Sequence, residues 1–446
     1  MNSEINIINR IRAANTIGKF GKLISFHGTF LTAVGIDVYI GDFCYIYTDD
    51  KEYKIRAEVI GFDERKVILM PFDSLRGVKL GNLVERAEGK NELTIGPELI
   101  GRVMDPLGKP IDSLGEVSPN KDNSFDLSTL INPFERKKID TIISTKIPIV
   151  DSLLTIGKGQ RVGIFSGSGV GKTTLITQLL ENADSDVNVI ALIGERGREV
   201  TEFIESFLGE QGLAKSVIIV ASADQPPLSR VYAAYTAIKV AEYFSYQGND
   251  VLLAVDSITR LAMAQREIGL ARGEPPSVKG YTPSCYSVLP HLVERAGAFK
   301  NRGSITAYYT VLVEGDDMSD PIADYMRGIL DGHIVLDRDI AAQGKYPAVN
   351  LRESVSRVMN SLINDSEKLT LNSIYKYHSL YFESKSMIEI GAYKEGDNLE
   401  LDKAIHIEKK INDLLYTGKL MERTRVIQEL SLIVKSAHRL EDKSNS

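Results

Sequence analysis

The sequence predicts an α/β protein built around a phosphate-binding loop, with a small β-barrel before it and a helical region after it. Three observations carry this reading. Residues 165–174, FSGSGVGKTT, form a glycine-rich turn between the apolar run that ends at Phe165 and the helix-like stretch LITQLLEN. After that loop, short apolar runs alternate with helical patterns, which implies a mostly parallel sheet with helices on both faces. Between Phe20 and about Arg86 the runs are strand-like and separated by Gly, Asp and charged residues, as in a small barrel.

Taken in order, residues 1–17 place Ile5, Ile8 and Ile11 near one helical face, with Glu4, Arg10 and Arg12 elsewhere. This suits either a short helix packed on its own domain or a docking segment for a partner. The barrel is expected over residues 18–95, from the strands KLISFH, VYIGDFCYIYT, YKIRAEVIGF and KVILMPF. Residues 112–140 are polar and contain Pro119 and Pro133, which marks a loop crossing toward the next domain. Over residues 96–345, VNVIALIG leads into a helix from about Glu199 to Leu208. SVIIVAS leads into RVYAAYTAIKVAEYF, and DVLLAVDSITR into LAMAQREIGL. ITAYYTVLVEG and GHIVLDR supply further strands. Runs with so few internal polar residues suit strands buried on both faces. Over residues 346–446 helical patterns dominate, including LDKAIHIEKKINDLLYTG and MERTRVIQELSLIVKSAHRL, before a frayed tail, EDKSNS.

At 446 residues, 43% hydrophobic and 25% charged, the chain is long enough for two or three domains around a large core. No apolar run approaches the ~20 residues of a bilayer span, and the amino terminus lacks the basic-then-apolar order of a secretory signal. A cytoplasmic protein is expected. The net charge of −7 speaks against a general nucleic-acid coat. Cys44 and Cys285 lack CxxC spacing, and the six His residues lack metal-ligand spacing, so neither a disulfide framework nor a structural metal is expected. Cys285, in YTPSCY, reads as a nucleophile candidate or, more simply, a packed thiol.

The chemistry starts at the loop. Gly167, Gly169 and Gly171 let the backbone curl, so that N–H groups along Ser166, Gly167, Ser168, Gly169, Val170, Gly171, Lys172, Thr173 and Thr174 face a phosphate. Lys172 can reach the β- and γ-phosphates, Thr173 can hold Mg²⁺, and the helix amino terminus adds partial positive charge. Ser166 stands where the GxxxxGK[ST] pattern has its first glycine. Asp256 ends the apolar run Val251–Val255; a carboxylate there suits Mg²⁺, or else a helix N-cap within Asp-Ser-Ile-Thr. Glu195, in GERGRE after another strand, is a candidate to orient the attacking water, with Glu199 as its rival. Arg357, in SVSRVM, is on its residues alone an ordinary helix-surface arginine.

With SGSGVGKTT, GERGREV, VDSITR, MAQREIGLARGEPPSVKGYTPS and VLVEGDDMSDPIAD in view, the chain resembles the type III secretion ATPases, most closely the flagellar export ATPases. That family is related to the subunits of rotary F- and V-type ATPases. The likeness runs from the barrel to the carboxyl terminus and is densest between about Gly157 and Met359. It implies a β-barrel domain, a RecA-like P-loop ATPase domain and a helical carboxyl-terminal domain in a homohexameric ring, with ATP as substrate and Mg²⁺ as cofactor. Lys172 and Thr173 take the phosphate and Mg²⁺ roles, Glu195 is the catalytic carboxylate, and Arg196 and Arg260 match arginines near the phosphates. Tyr346, in KYPAVN, matches the aromatic packed on adenine. Arg357 matches the finger that reaches into the neighbouring subunit's site. Implied partners are a stator-like regulatory dimer at residues 1–17, a central stalk, export-gate membrane proteins and chaperone–substrate complexes, with the ring docked at the inner face of the cell membrane.

Three other readings share parts of the pattern. A rotary ATP synthase or ion-pump subunit shares the nucleotide motifs, but GEPPSVKGYTPS and the short amino terminus favour the secretion branch, and VKGYTPS and GKYPAVN favour its flagellar side. A nucleic-acid translocase needs a basic barrel, whereas this one carries Asp42, Asp49, Asp50, Glu52 and Asp63. A non-catalytic subunit is opposed by retention of both Lys172 and Glu195. No nucleic-acid partner is expected.

Overall fold

The computed structural model describes residues 20–48, 53–87, 93, 95–117 and 130–444. The amino-terminal segment 1–17, Asp49, Asp50, Glu52 and Pro119 lie outside the described residues. Six strands close an antiparallel barrel in the order β1-β2-β5-β4-β3-β6: β1 Phe20–His27, β2 Phe30–Val34, β3 Phe43–Tyr47, β4 Lys54–Asp63, β5 Lys66–Pro71 and β6 Leu83–Arg86. Alternating side chains fill it, among them Leu31, Ala33, Ile46, Ile55, Ala57 and Leu69. The run VYIGDFCYIYT is only half strand. Gly41 adopts φ 88° and the Asp42 N–H donates to the Tyr39 carbonyl, so a turn precedes Phe43.

The barrel's outer face is not free. Ile60, Ile68, Met70 and Phe72 pack on Leu228, Val231, Ala264 and Ile268 from two helices, Pro227–Tyr246 and Ile258–Ala271. Phe72 meets the Tyr232 ring at 4.9 Å, and the Ser229 hydroxyl donates to the Phe72 carbonyl at 2.8 Å.

The second layer system is an eight-stranded sheet in the order β14-β13-β8-β12-β11-β9-β10-β7. Its strands are β7 Val103–Met104, β8 Arg161–Ser166, β9 Val187–Ile193, β10 Ser216–Ala221, β11 Val251–Asp256, β12 Ile305–Leu312, β13 Gly332–Leu336 and β14 Val355–Ser356. All pairings are parallel except β13 with β14. β9, β10 and β11 are buried along their whole lengths, as expected for strands covered by helices on both faces. The helix expected from Glu199 to Leu208 is α-helical only through Glu202 and then widens into a π-helical stretch, Phe203–Leu208. The i→i+5 repeat puts Phe203 and Leu208 on one face, and both are buried.

Beyond β14 three long helices, Asp365–Glu389, Leu399–Leu415 and Arg423–Ser444, form the carboxyl-terminal bundle. Their apolar faces (Leu371, Ile374, Ile407, Ile411, Val426, Leu430) join the core through Ile149, Val150 and Leu153. Arg423 clamps this joint. Its guanidinium meets both oxygens of Glu367 at 2.8 and 3.1 Å, and its Nε donates to the Asp151 carbonyl.

Candidate active site

Strand order decides which carboxyl ends meet. β8 ends at Ser166; β12 lies beside it, β11 beside β12 and β9 beside β11, with Asp256 opposite Leu192. The phosphate loop, Asp256 and the exit of β9 through Gly194 and Glu195 therefore share one edge of the sheet, the edge where open α/β sheets bind ligands.

Gly171 adopts φ 92° at the N-cap of the helix Lys172–Asn182, which projects Lys172 over that edge. Its ammonium lies 2.5 Å from Asp256 Oδ1 and 3.8 Å from Glu195 Oε1. The Thr310 hydroxyl donates to the same Asp256 oxygen at 2.6 Å. Asp256 is 6% exposed, and these partners compensate the burial of its charge. The N-cap alternative for Asp256 falls to its neighbour: Ser257 caps the helix Ile258–Ala271 by accepting from the Arg260 N–H. Arg260 Nε sits 3.4 Å from Glu195 Oε1, and its guanidinium also donates to the Gly194 carbonyl.

Burial pushes the Glu195 carboxyl up to about 7; Lys172 and Arg260 pull it down, while Asp256 and a hydrogen bond with Glu199 add to the rise. Glu199 is held below the usual carboxylate range, chiefly by that same bond. Of the two, Glu195 is the one that titrates near neutrality, which is where a general base for water is effective.

The other expected residues divide. Val170 is buried beneath the loop, while Ser168, Gly169 and Thr174 are exposed. Ser166 is buried, and its hydroxyl has no hydrogen-bond partner among the described residues. A Cβ at Gly167 would fall 2.2 Å from Asp316 Oδ1, so the Asp316 side chain would have to move to admit one. The Tyr346 ring borders Gly171, where a Cβ would lie 3.6 Å from ring carbons, and it is 45% exposed. Arg196 stays at the surface, 79% exposed and paired with Glu199 at 3.2 Å, so one chain does not bring it to Lys172. Cys285 is buried and donates to the Ala262 carbonyl, a packed thiol.

Arg357 lies at the opposite edge. Its N–H donates to the Asp331 carbonyl, next to Gly332, which pairs with Val162 at the start of β8. Ser166 is four residues further along that strand, about 13 Å at the usual rise. Within one chain Arg357 and Lys172 are kept apart. Thr310 was not anticipated: a lone hydroxyl in an apolar strand becomes informative only once β12 is known to lie beside β11.

The profile of the ATP synthase alpha/beta nucleotide-binding domain matches residues 146–356, and that of the family's β-barrel domain matches residues 26–88. The carboxyl-terminal domain of the type III secretion ATPase EscN matches residues 363–424. A flagellum-specific ATP synthase of Bacillus subtilis is 46% identical over 415 residues, spanning 93% of this chain and 94% of that protein. The chain belongs to the flagellar and type III secretion ATPases of the ATP synthase alpha/beta family. A type 3 secretion system ATPase of Xanthomonas euvesicatoria is 42% identical over 92% of each chain. The assembled EscN of enteropathogenic E. coli superposes with a TM-score of 0.87 at 40% identity, covering 93% of this chain and all of that one. EscN has also been solved in complex with its central stalk EscO, with a TM-score of 0.83. As a member of this family the protein is an ATPase on a RecA-like core. Among its described residues no helix is long and apolar enough to cross a membrane.

Proposed function

We propose that this ATPase is the motor of a type III export apparatus, of the flagellar kind, and that it works as a homohexameric ring with its sites at subunit interfaces. The observation that carries the catalytic assignment is the convergence of Lys172, Asp256 and Glu195 at one sheet edge, with Glu195 poised near neutrality. The loop from Ser166 to Thr174 holds the triphosphate of ATP, Lys172 meets the β- and γ-phosphates, and Tyr346 packs on the base. Asp256 and Thr173 are hard oxygen donors beside that loop, the set that suits Mg²⁺. When bound there the ion neutralises phosphate charge. Glu195 accepts a proton from water as its oxygen attacks the γ-phosphorus and the bond to the bridging oxygen breaks, releasing ADP. Arg260 orients Glu195. Arg357 reaches the γ-phosphate of the adjacent subunit; Arg196, exposed beside the loop, is free to join it on assembly.

The flagellar assignment follows the 46% identity to the Bacillus subtilis protein; the injectisome reading is supported by the fit to EscN. The reported EscN–EscO complex makes a central stalk the first partner to seek. A stator-like dimer at residues 1–17, chaperone–substrate complexes and an export gate at the inner membrane face complete the reading, with the ring otherwise cytoplasmic. Glu195→Gln tests the catalytic core. The assembled variant should bind ATP with near-normal affinity and lose at least about a hundredfold in kcat; near-full turnover would make the protein a nucleotide-binding structural subunit instead. Removal of residues 1–17 followed by pulldown shows whether the partner is a flagellar or an injectisome regulator.

A further inference from the structure

Arg327 and Arg357 stand together with no acid between them. Arg327 lies near the end of the helix Pro321–Ile329, and Arg357 follows β14. The Arg357 guanidinium donates to the Arg327 carbonyl at 2.9 Å. Neither arginine makes an ion pair among the described residues, although carboxylates pair most arginines elsewhere in the core, such as Arg161 with Asp331 and Arg423 with Glu367. The Arg327 Nε is buried without a hydrogen-bond partner. On β13, His333 is buried against the Phe165 ring, and its imidazole is held below its usual value by burial; a hydrogen bond with the Glu353 backbone opposes the fall and the two cations add to it.

Both cations lie close enough to His333 to act on it, and an arginine whose Nε is buried without a partner forfeits hydration there. Among the described residues no carboxylate pairs with either arginine. An anion seated against the pair would offset that cost, and the planar five-donor fork of arginine is suited to phosphoryl oxygens. Arg327 precedes the start of β13, at the amino edge of the sheet where Arg357 also lies.

We propose that Arg327 is a second cationic group of the shared site, and that with Arg357 it forms a two-arginine clamp on the phosphoryl group held by the adjacent subunit. This rests on the interface reading of Arg357. Charge spreads over the transferring phosphoryl oxygens as the reaction proceeds, so the clamp binds the transition state more tightly than ATP.

The test uses the assembled full chain as wild type, Arg327→Gln, Arg327→Lys and Arg357→Ala. Ring formation is followed by light scattering, kcat and KM for ATP by phosphate release, and trapping by ADP with aluminium fluoride. Arg327→Gln should assemble normally, keep KM within about threefold, lose about a hundredfold in kcat and fail to trap ADP–aluminium fluoride. Arg327→Lys should recover part of kcat. If Arg327→Gln turns over and traps normally while Arg357→Ala does not, the clamp is wrong and the interface reading stands. If both are unaffected, the interface reading fails with it. If Arg327→Gln loses the ring, or if Lys fails to recover any kcat in intact rings, Arg327 serves assembly or packing and the clamp is wrong.

Discussion

Glu195 is kept partly protonated near neutral pH by burial and by Asp256, and the proposed role as base needs it ionised. The acid limb of kcat/KM should accordingly have an apparent pKa around 7, with activity falling about tenfold per pH unit below it. A profile flat down to pH 5.5 contradicts the assignment of Glu195 as base. The same burial has a consequence for stability. The folded value lies above that of an unfolded carboxylate, so the native state retains a proton that the unfolded chain loses as pH rises between the two values. The fold is penalised in full above about pH 7 and not at all below about pH 4. Glu195→Gln should melt about 2–4 °C higher than wild type at pH 8, with the gap closing toward pH 4.5; an equal gap at both pH values rules this out. Glu195 and Asp256 were legible as carboxylates at strand ends and Lys172 as the lysine of a glycine-rich loop at a helix start, and the structure brings the three together. The contacts of Thr310 with Asp256 and of Arg327 with Arg357 were not, since they depend on which strands and segments lie side by side, and local spacing does not record that.

Among the elements, the sheet strands were easiest to read, because β9, β10 and β11 are apolar without interruption. The barrel was read in outline, but β2 and β6 were passed over: with five and four residues they are too short for alternation to stand out. The helix after Glu199 was placed correctly but not its π-helical widening, which answers to the core and not to local propensity. The carboxyl-terminal bundle offers a quantitative check. Arg423 holds the Glu367 carboxyl below its ordinary value and ties the capping box at Asn364 to the core. Arg423→Ala should cost about 2 kcal/mol in urea unfolding at pH 7. A depressed carboxylate contributes above its unfolded pKa and loses that contribution as pH falls through its folded one. The difference between wild type and Arg423→Ala should therefore shrink below about pH 4, and a difference that grows on acidification argues against the clamp at this joint.

At the scale of the whole molecule, the residues proposed for the site fall into two groups at opposite edges of the sheet. Lys172, Glu195 and Asp256 occupy the carboxyl edge of the sheet, while Arg357 lies near its amino edge, about 13 Å further back along β8. In the proposed ring, head-to-tail assembly would join the two groups, the arrangement expected of a heterologous interface. The likeness to export ATPases implies that Arg357 serves the neighbour's site, and the strand register supports that proposal by separating it from the loop of its own chain. The most direct measurement is activity in mixed rings. Lys172→Ala and Arg357→Ala should each be nearly inactive alone, with Arg357→Ala still binding ATP. Mixed in equal amounts before assembly, they create interfaces in which an intact Lys172 meets an intact Arg357. About a quarter of interfaces should then be whole, so ATP hydrolysis should recover toward that fraction of wild type. Mixed rings that form but stay as inactive as the separate variants would contradict a site divided between subunits.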